Sequence, residues 1–146
     1  MSLNRIFDIA GSAMSAQSIR LNTTASNIAN ADTASSSTEE VYRARKPVFA
    51  SIQQSVMNGG FNTAFTDNPE SQGVEVKGIV ESEAPLDMRF QPDHPMANDD
   101  GYVMYPNVNV VEEMTDMLSA SRSFQTNVDV MDAAKTMMQR ISTLGQ

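Results

Sequence analysis

The side chains best suited to chemistry cluster between Asp93 and Gly101, where Asp93-His94 and Asn98-Asp99-Asp100-Gly101 bring carboxylates, amides and an imidazole close together. Clustered carboxylates suit hard cations such as calcium. Aligning Gly101 with the glycine of a calcium loop, however, puts Met96 at the first ligand position and Asn107 at the last, where carboxylates are needed. The pattern therefore reads as a polar turn. His94 is the one histidine and the chain has no cysteine, so no second ligand stands at zinc spacing and the expectation is a loop histidine without a metal. A Ser-His-Asp arrangement cannot be completed around a histidine in a proline-flanked loop, and no glycine run resembles a phosphate cradle. Neither catalysis nor a cofactor is expected.

Arg43, Arg45 and Lys46 form a short basic run in a chain of net charge −8 and pI near 4.4. That balance argues against a nucleic-acid partner, which calls for a basic face that releases counterions. The run reads as a solvated strand, with contact to acidic neighbours as the second reading.

The elements that carry these residues come from patterning. At 146 residues the chain has room for one ordinary domain, but aromatic residues make up 6%, tryptophan is absent and eleven residues are Met. Large rigid core formers are scarce, which points to a fold completed by partners. No run reaches the roughly 18 to 20 apolar residues of a membrane helix. The start, Met1-Ser-Leu-Asn-Arg-Ile-Phe-Asp8, lacks the apolar block and cleavage site of a secretory signal, so any export is expected to proceed without signal cleavage.

Residues 1–30 read as a helix, with Phe7, Met14, Leu21 and Ile28 seven apart and Leu3, Ala10 and Ala31 at the companion spacing. The seam is narrow, since Gln17 and Thr24 fill the remaining companion positions. Asn27 to Asn30 is the expected end, with Asn suited to a left-handed cap. Ala31 to Glu40 has linker composition and is expected to uncouple the helix from the middle of the chain, so that deletions within Ala34 to Thr38 are expected to matter less than Phe124→Asp or Met131→Asp. The rest of the 31–108 stretch holds most of the prolines and glycines, with alternating runs at Val74-Glu-Val-Lys and Leu86-Asp-Met-Arg-Phe90. A small, irregular β region is expected, with turns at Asn58-Gly59-Gly60 and Asp99-Asp100-Gly101.

A second helix fills 109–146. Asn109 stands as its N-cap with Glu112 three residues on, acidic Glu112, Glu113 and Asp116 open it, and Lys135 and Arg140 occupy its last turns. Val110, Met117, Phe124, Met131 and Met138 recur every seven residues, accompanied by Glu113, Ala120, Asn127, Ala134 and Ile141. Small residues at Ala120 and Ala134 allow close helix approach, and Asn127 would penalise a slipped register. The expected fold is mainly α: two terminal helices joined as a coiled-coil hairpin, with the middle as an insertion. A second apolar edge is expected on each helix, Ile6, Ile9, Ala13 and Ala16 on one and Val111, Met114, Leu118 and Val128 on the other. Such edges call for further subunits.

Phe7-Asp-Ile-Ala-Gly-Ser-Ala-Met-Ser-Ala-Gln-Ser-Ile-Arg-Leu-Asn22, followed by Ala25-Ser26-Asn27-Ile28-Ala29-Asn30, resembles the start of the FlgC-type flagellar proximal rod proteins. Tyr42-Arg43-Ala-Arg45 and Gly101-Tyr-Val-Met-Tyr105-Pro106-Asn107, running on through Val110 to Met117 and Ser119 to Val128, are similar to further blocks of that family. The resemblance implies a structural subunit of the basal-body rod that self-assembles through its terminal helices, is exported by the flagellar type III apparatus, and helps build a hollow shaft that transmits torque and conducts exported subunits. Its implied partners are other rod proteins and the rod-base adaptor, in the periplasm-spanning rod, without membrane insertion. The alternative is a monomeric helical adaptor or export chaperone of a secretion apparatus. A small hydrolase, a third reading, lacks converging titratable groups.

Overall fold

The computed structural model describes residues 3–37, 39–53 and 71–144. In chain order these form α1 (Leu3–Asn30), β1 (Arg45–Gln53), β2 (Ser71–Glu81), β3 (Asp87–Phe90), β4 (Tyr102–Tyr105) and α2 (Val110–Leu144). The protein is mainly helical, with a terminal helix at each end and two small antiparallel sheets between them. The turn expected at Asn58-Gly59-Gly60 lies outside the described residues.

Local chemistry sets the helix limits. Asn109 caps α2 as expected: its side-chain oxygen accepts the Val111 N–H at 3.1 Å and its backbone carbonyl accepts the Glu113 N–H at 3.0 Å. The Glu112 carboxylate, placed by its spacing to close a capping box, accepts from Lys46 Nζ at 2.9 Å instead. Because α2 continues to Leu144, Arg140 and Lys135 sit inside it, and its final turn holds no basic residue. The left-handed cap expected for α1 is not formed, since no described non-glycine residue has positive φ. Asn30 instead donates its side-chain N–H to the Ser26 carbonyl at 2.8 Å, and Ala31 and Thr33 close tight turns onto Ile28 and Asn30. The Asn amide is thereby satisfied within a right-handed end.

β1 and β2 pair antiparallel from Arg45↔Glu81 to Gln53↔Ser71, with register shifts after Val48 and Ser51. This ribbon is longer and more regular than the alternating run at Val74 implied. It lies against α1 at a close approach: the Val74 N–H donates to Ser12 Oγ at 3.1 Å, and Gly73, at φ 134°, leaves space for that hydroxyl. A Cβ at Gly73 would stand 2.3 Å from Ser12 Oγ, in a backbone conformation that L residues rarely adopt. Gly73→Ala is therefore expected to lift the ribbon from α1, read as faster proteolysis within 45–81 of the folded chain.

β3 and β4 pair from Asp87↔Tyr105 to Phe90↔Tyr102, and the loop between them is closed by the expected polar turn. Asn98 Oδ1 accepts the N–H groups of Asp100 and Tyr102 at 3.1 and 2.8 Å, and Gly101 takes φ 79°. His94 Nδ1 accepts the Met96 N–H at 3.1 Å, a turn role. The expected uncoupling by 31–40 does not hold. Ser35 exchanges backbone hydrogen bonds with Met104, both at 3.0 Å, and Val41 is buried. The serine hydroxyls of Ser35 and Ser37 accept the N–H groups of Ser37 and Glu39, so a segment poor in apolar residues is ordered by its own side chains. A deletion that takes out Ser35 would remove its two backbone hydrogen bonds with Met104 of β4.

The buried apolar residues are chiefly small: Ala10, Ala16, Ala31, Ala44, Ala120 and Ala134, with Val41 and Val103. Val103 and Asn27 are the largest side chains fully buried. The scarcity of aromatics thus shows itself as close element approach rather than as a thick core.

Candidate assembly surfaces

The two helices run side by side in opposite directions. Ala31 lies with Val110 along one groove, while Arg20 and Thr24 lie with Glu113 and Asp116 along another, so α1 numbers fall as α2 numbers rise. Arg20 Nη2 donates to Asp116 Oδ1 at 2.7 Å across the pair. The heptad positions face inward: Ala10 and Thr24 are buried and Phe7, Met14, Leu21 and Ile28 half-buried on α1; Glu113, Ala120 and Ala134 are buried and Val110, Met117, Phe124 and Met131 half-buried on α2. Two expected seam residues fall outside this contact. Met138 and Ile141 are 40% and 61% exposed, because α2 has 35 residues and α1 only 28. Asn127, half-buried, donates to the Ser123 carbonyl of its own helix at 2.8 Å, so its amide N–H is satisfied locally rather than across the pair.

Gln17 is the polar residue with a cost. Its Oε1 is buried without a hydrogen-bond partner among the described residues. An unsatisfied buried acceptor costs about 1–3 kcal/mol, so Gln17→Met, similar in length, is expected to raise stability by about 1 kcal/mol in denaturant unfolding of the purified chain.

A polar clasp joins α1, the start of β1 and the segment before α2. Asn27, 1% exposed, accepts from the Arg45 N–H at 2.9 Å and the Tyr42 hydroxyl at 2.8 Å, and donates to the Arg45 carbonyl at 2.8 Å. Ser26 Oγ lies 3.3 Å from the same Tyr42 hydroxyl. From the other side, Asn107 Oδ1 accepts the Ala44 N–H at 2.8 Å and its Nδ2 donates to the Ala84 carbonyl at 2.9 Å. Arg43 Nη1 donates to the Ser82 carbonyl at 3.3 Å. Ser26, Asn27, Tyr42, Arg43 and Asn107, widely spaced in sequence, thus meet around residues 43–45, with Pro106 buried beside them in the chain. Ala25 and Ala29 are exposed, Asn30 closes α1, and Tyr105 donates to Gln91 Oε1 at 3.2 Å under the Arg89 guanidinium. Sequence reasoning marks most of these positions without showing that they touch, because their partners are backbone groups that no residue type announces.

Of the basic run, Arg45 and Lys46 are exposed on β1, as the solvated-strand reading expects, whereas Arg43 precedes the strand and is half-buried. Arg45 pairs with Glu81 and Lys46 with Glu112, each at 2.9 Å. The hydrogen bond from Lys46 to the Glu112 carboxylate, opposed by partial desolvation and helped by the charges of Glu112, Glu113 and Asp116, raises the Lys46 pKa above 10.5. Since the folded value is raised, this small contribution is present below that range and is lost only as pH climbs through the folded pKa.

Of the two expected leftover edges, one is closed and one open. Ala16 is buried and Ile6 and Ala13 half-buried, because β1 and β2 lie along α1; Ile9 keeps 37% exposure. Among the described elements the backbone of α2 lies close to that of α1 alone, and β1 meets the first turns of α2 through the Lys46–Glu112 ion pair. Val111, Met114 and Leu118 are 73, 57 and 55% exposed, while Val128 is half-buried. An apolar stripe therefore opens α2 to solvent.

Comparison with known proteins agrees with this helix-ended architecture. The family described as flagella basal body rod protein matches residues 7–34, and that described as flagellar basal body rod FlgEFG protein C-terminal matches 99–144. Over the full length of both chains, the sequence is 46% identical to the flagellar basal-body rod protein FlgC of Yersinia enterocolitica and 44% identical to that of Salmonella typhimurium. The chain belongs to the FlgC family of flagellar basal-body rod proteins. A FlgC relative as distant as that of Borreliella burgdorferi is still 35% identical over 95% of each chain. This FlgC-family chain is a structural subunit of the flagellar basal-body rod and not an enzyme; the adaptor or chaperone reading is not favoured. No helix among its described residues is long and apolar enough to cross a membrane.

Proposed function

We infer that the chain builds the rod wall through its terminal helices, with the α1–α2 seam as a coiled coil and the open stripe of α2 as the surface that meets neighbours. The observation that carries this reading is the one-sided packing of α2, which leaves Val111, Met114 and Leu118 in water at 73, 57 and 55% exposure. Covering side chains of this size is worth about 1.5–3 kcal/mol each, ample to drive lateral association once copies are aligned. The chain divides for this purpose into the helix of 1–30, the 31–108 middle and the helix of 109–146. Its neighbours are other rod proteins and the rod-base adaptor, and it reaches them through the flagellar type III export apparatus without a cleaved signal, to form a hollow shaft that carries torque and passes exported subunits.

Leu118→Asp tests this reading. The side chain is exposed, so the purified variant is expected to unfold at the wild-type denaturant midpoint, yet to be recovered in basal bodies at under one tenth of the wild-type amount. Wild-type recovery and swimming would show that this stripe is not a subunit contact.

A further inference from the structure

One inward position of α2 holds a charge. Glu113 stands in the same register as Ala120 and Ala134 and, like them, it is buried, at 4% exposure. Buried charges are ordinarily paired. Among the described residues, however, no hydrogen bond or ion pair reaches the Glu113 carboxylate. Thr24, also 4% exposed, is in the same condition on the facing helix, its hydroxyl without a partner among those residues.

Both side chains line one cavity of about 270 Å³ between α1, α2 and β1. Pro47 and Phe49, the latter 38% exposed, give it an apolar wall, and Arg45 and Lys46 stand exposed at its rim. The cations along it are already engaged. Arg20 pairs with Asp116 at 2.7 Å, Arg45 with Glu81 at 2.9 Å and Lys46 with Glu112 at 2.9 Å. Each cation thus has its own carboxylate, and Glu113 is the carboxylate left without one.

We propose that this cavity receives the ammonium of a lysine carried by a neighbouring rod subunit, with Glu113 as its counter-ion and Thr24 as a further acceptor. The free groups of the lining select that occupant. An ammonium brings three N–H donors, which two carboxylate oxygens and one hydroxyl can accept, whereas a guanidinium brings five. Lysine also carries its charge on a flexible apolar stem, which suits the wall of Pro47 and Phe49. A hard cation such as calcium calls for roughly six to eight oxygens, and no group of three or more His, Asp or Glu among the described residues is arranged to hold a metal. The contact rests on the rod-subunit reading and adds selectivity to the apolar association on α2, since a neighbour without the lysine leaves the carboxylate buried alone.

Glu113→Gln keeps the shape of the side chain and removes its charge. The purified variant is expected to unfold at a denaturant midpoint no lower than wild type, because an unpaired buried charge is relieved, while its recovery in basal bodies falls below about one tenth of the wild-type amount. Thr24→Val, which exchanges the hydroxyl for a methyl, is expected to lower recovery by a smaller factor, again without lowering the midpoint. Wild-type recovery of Glu113→Gln overturns the proposal. So does a midpoint that drops together with recovery, which would make Glu113 a support of its own helix start. An equal loss of recovery in Lys46→Gln overturns it as well, by assigning the counter-ion to the chain's own lysine. Each of these results leaves the rod-subunit reading standing, whereas absence of the unsubstituted chain from basal bodies would remove that reading itself.

Discussion

Phe124→Asp is expected to abolish recovery of the subunit in basal bodies and to leave cells non-motile, although the variant is still made. Phe124 is the one aromatic side chain of α2 and lies half-buried in its inward register between Met117 and Met131. Removing a packed aromatic costs about 3–5 kcal/mol, and a carboxylate in its place must either be desolvated without a partner or force α2 away from α1. A chain whose whole stability is about 5–15 kcal/mol cannot absorb that and keep the two helices paired. Met131→Asp, one heptad on, is expected to act alike. The check is immunoblotting of basal bodies beside a swimming assay, and normal motility in both variants would refute the seam as the structural foundation.

The second large effect is expected at Asn27. Asn27→Ala takes the side-chain partner from the N–H and carbonyl of Arg45 beside a position that is 1% exposed, and leaves the Tyr42 hydroxyl with Ser26 Oγ alone. Each orphaned group costs about 1–3 kcal/mol, so a loss of about 3 kcal/mol or more in denaturant unfolding is expected. Asn27→Asp is the informative companion. It keeps an acceptor for the Arg45 N–H and the Tyr42 hydroxyl but sets a carboxylate against the Arg45 carbonyl, 2.8 Å from the present donor. Stability near wild type for Asn27→Asp would mean that the donated bond matters little and that the clasp works through its acceptor alone. Asn107→Ala should release Ala44 from the other side; equal and additive losses in the double variant would argue against a shared clasp, because groups in one network do not add.

Much of the helical framework is legible in the residues. The seven-residue spacing of Phe7 to Ile28 and of Val110 to Met131 predicts which face of each helix turns inward, and Asn109 predicts where α2 begins, because periodicity and capping are written in neighbouring side chains. The polar turn at Asn98 to Gly101 is readable for the same reason. The ribbon of β1 and β2 is not, since Pro47, exposed Val48 and exposed Val80 give no clean alternation, and its pairing joins distant segments. The hydrogen bonding of residues 31–37 escapes a compositional reading because composition counts apolar area, whereas Ser35 and Ser37 are held by bonds to one another and to Met104. The clasp is marked by Ser26, Asn27, Tyr42 and Asn107 yet cannot be assembled from them, as its acceptors and donors are mostly main-chain atoms.

Residue type and spacing alone specify a pair of long helices, each apolar along a narrow stripe, on a chain whose one histidine has no second His or Cys at ligand spacing. That much comes from the spacing and type of residues within a few turns of one another. It took the packed molecule to reveal that the second stripe of α1 is largely covered by the chain's own ribbon while that of α2 stays open, and that α2 runs past its partner. Those outcomes depend on which surfaces meet across long stretches of chain and on how far each helix extends, and local patterning carries neither.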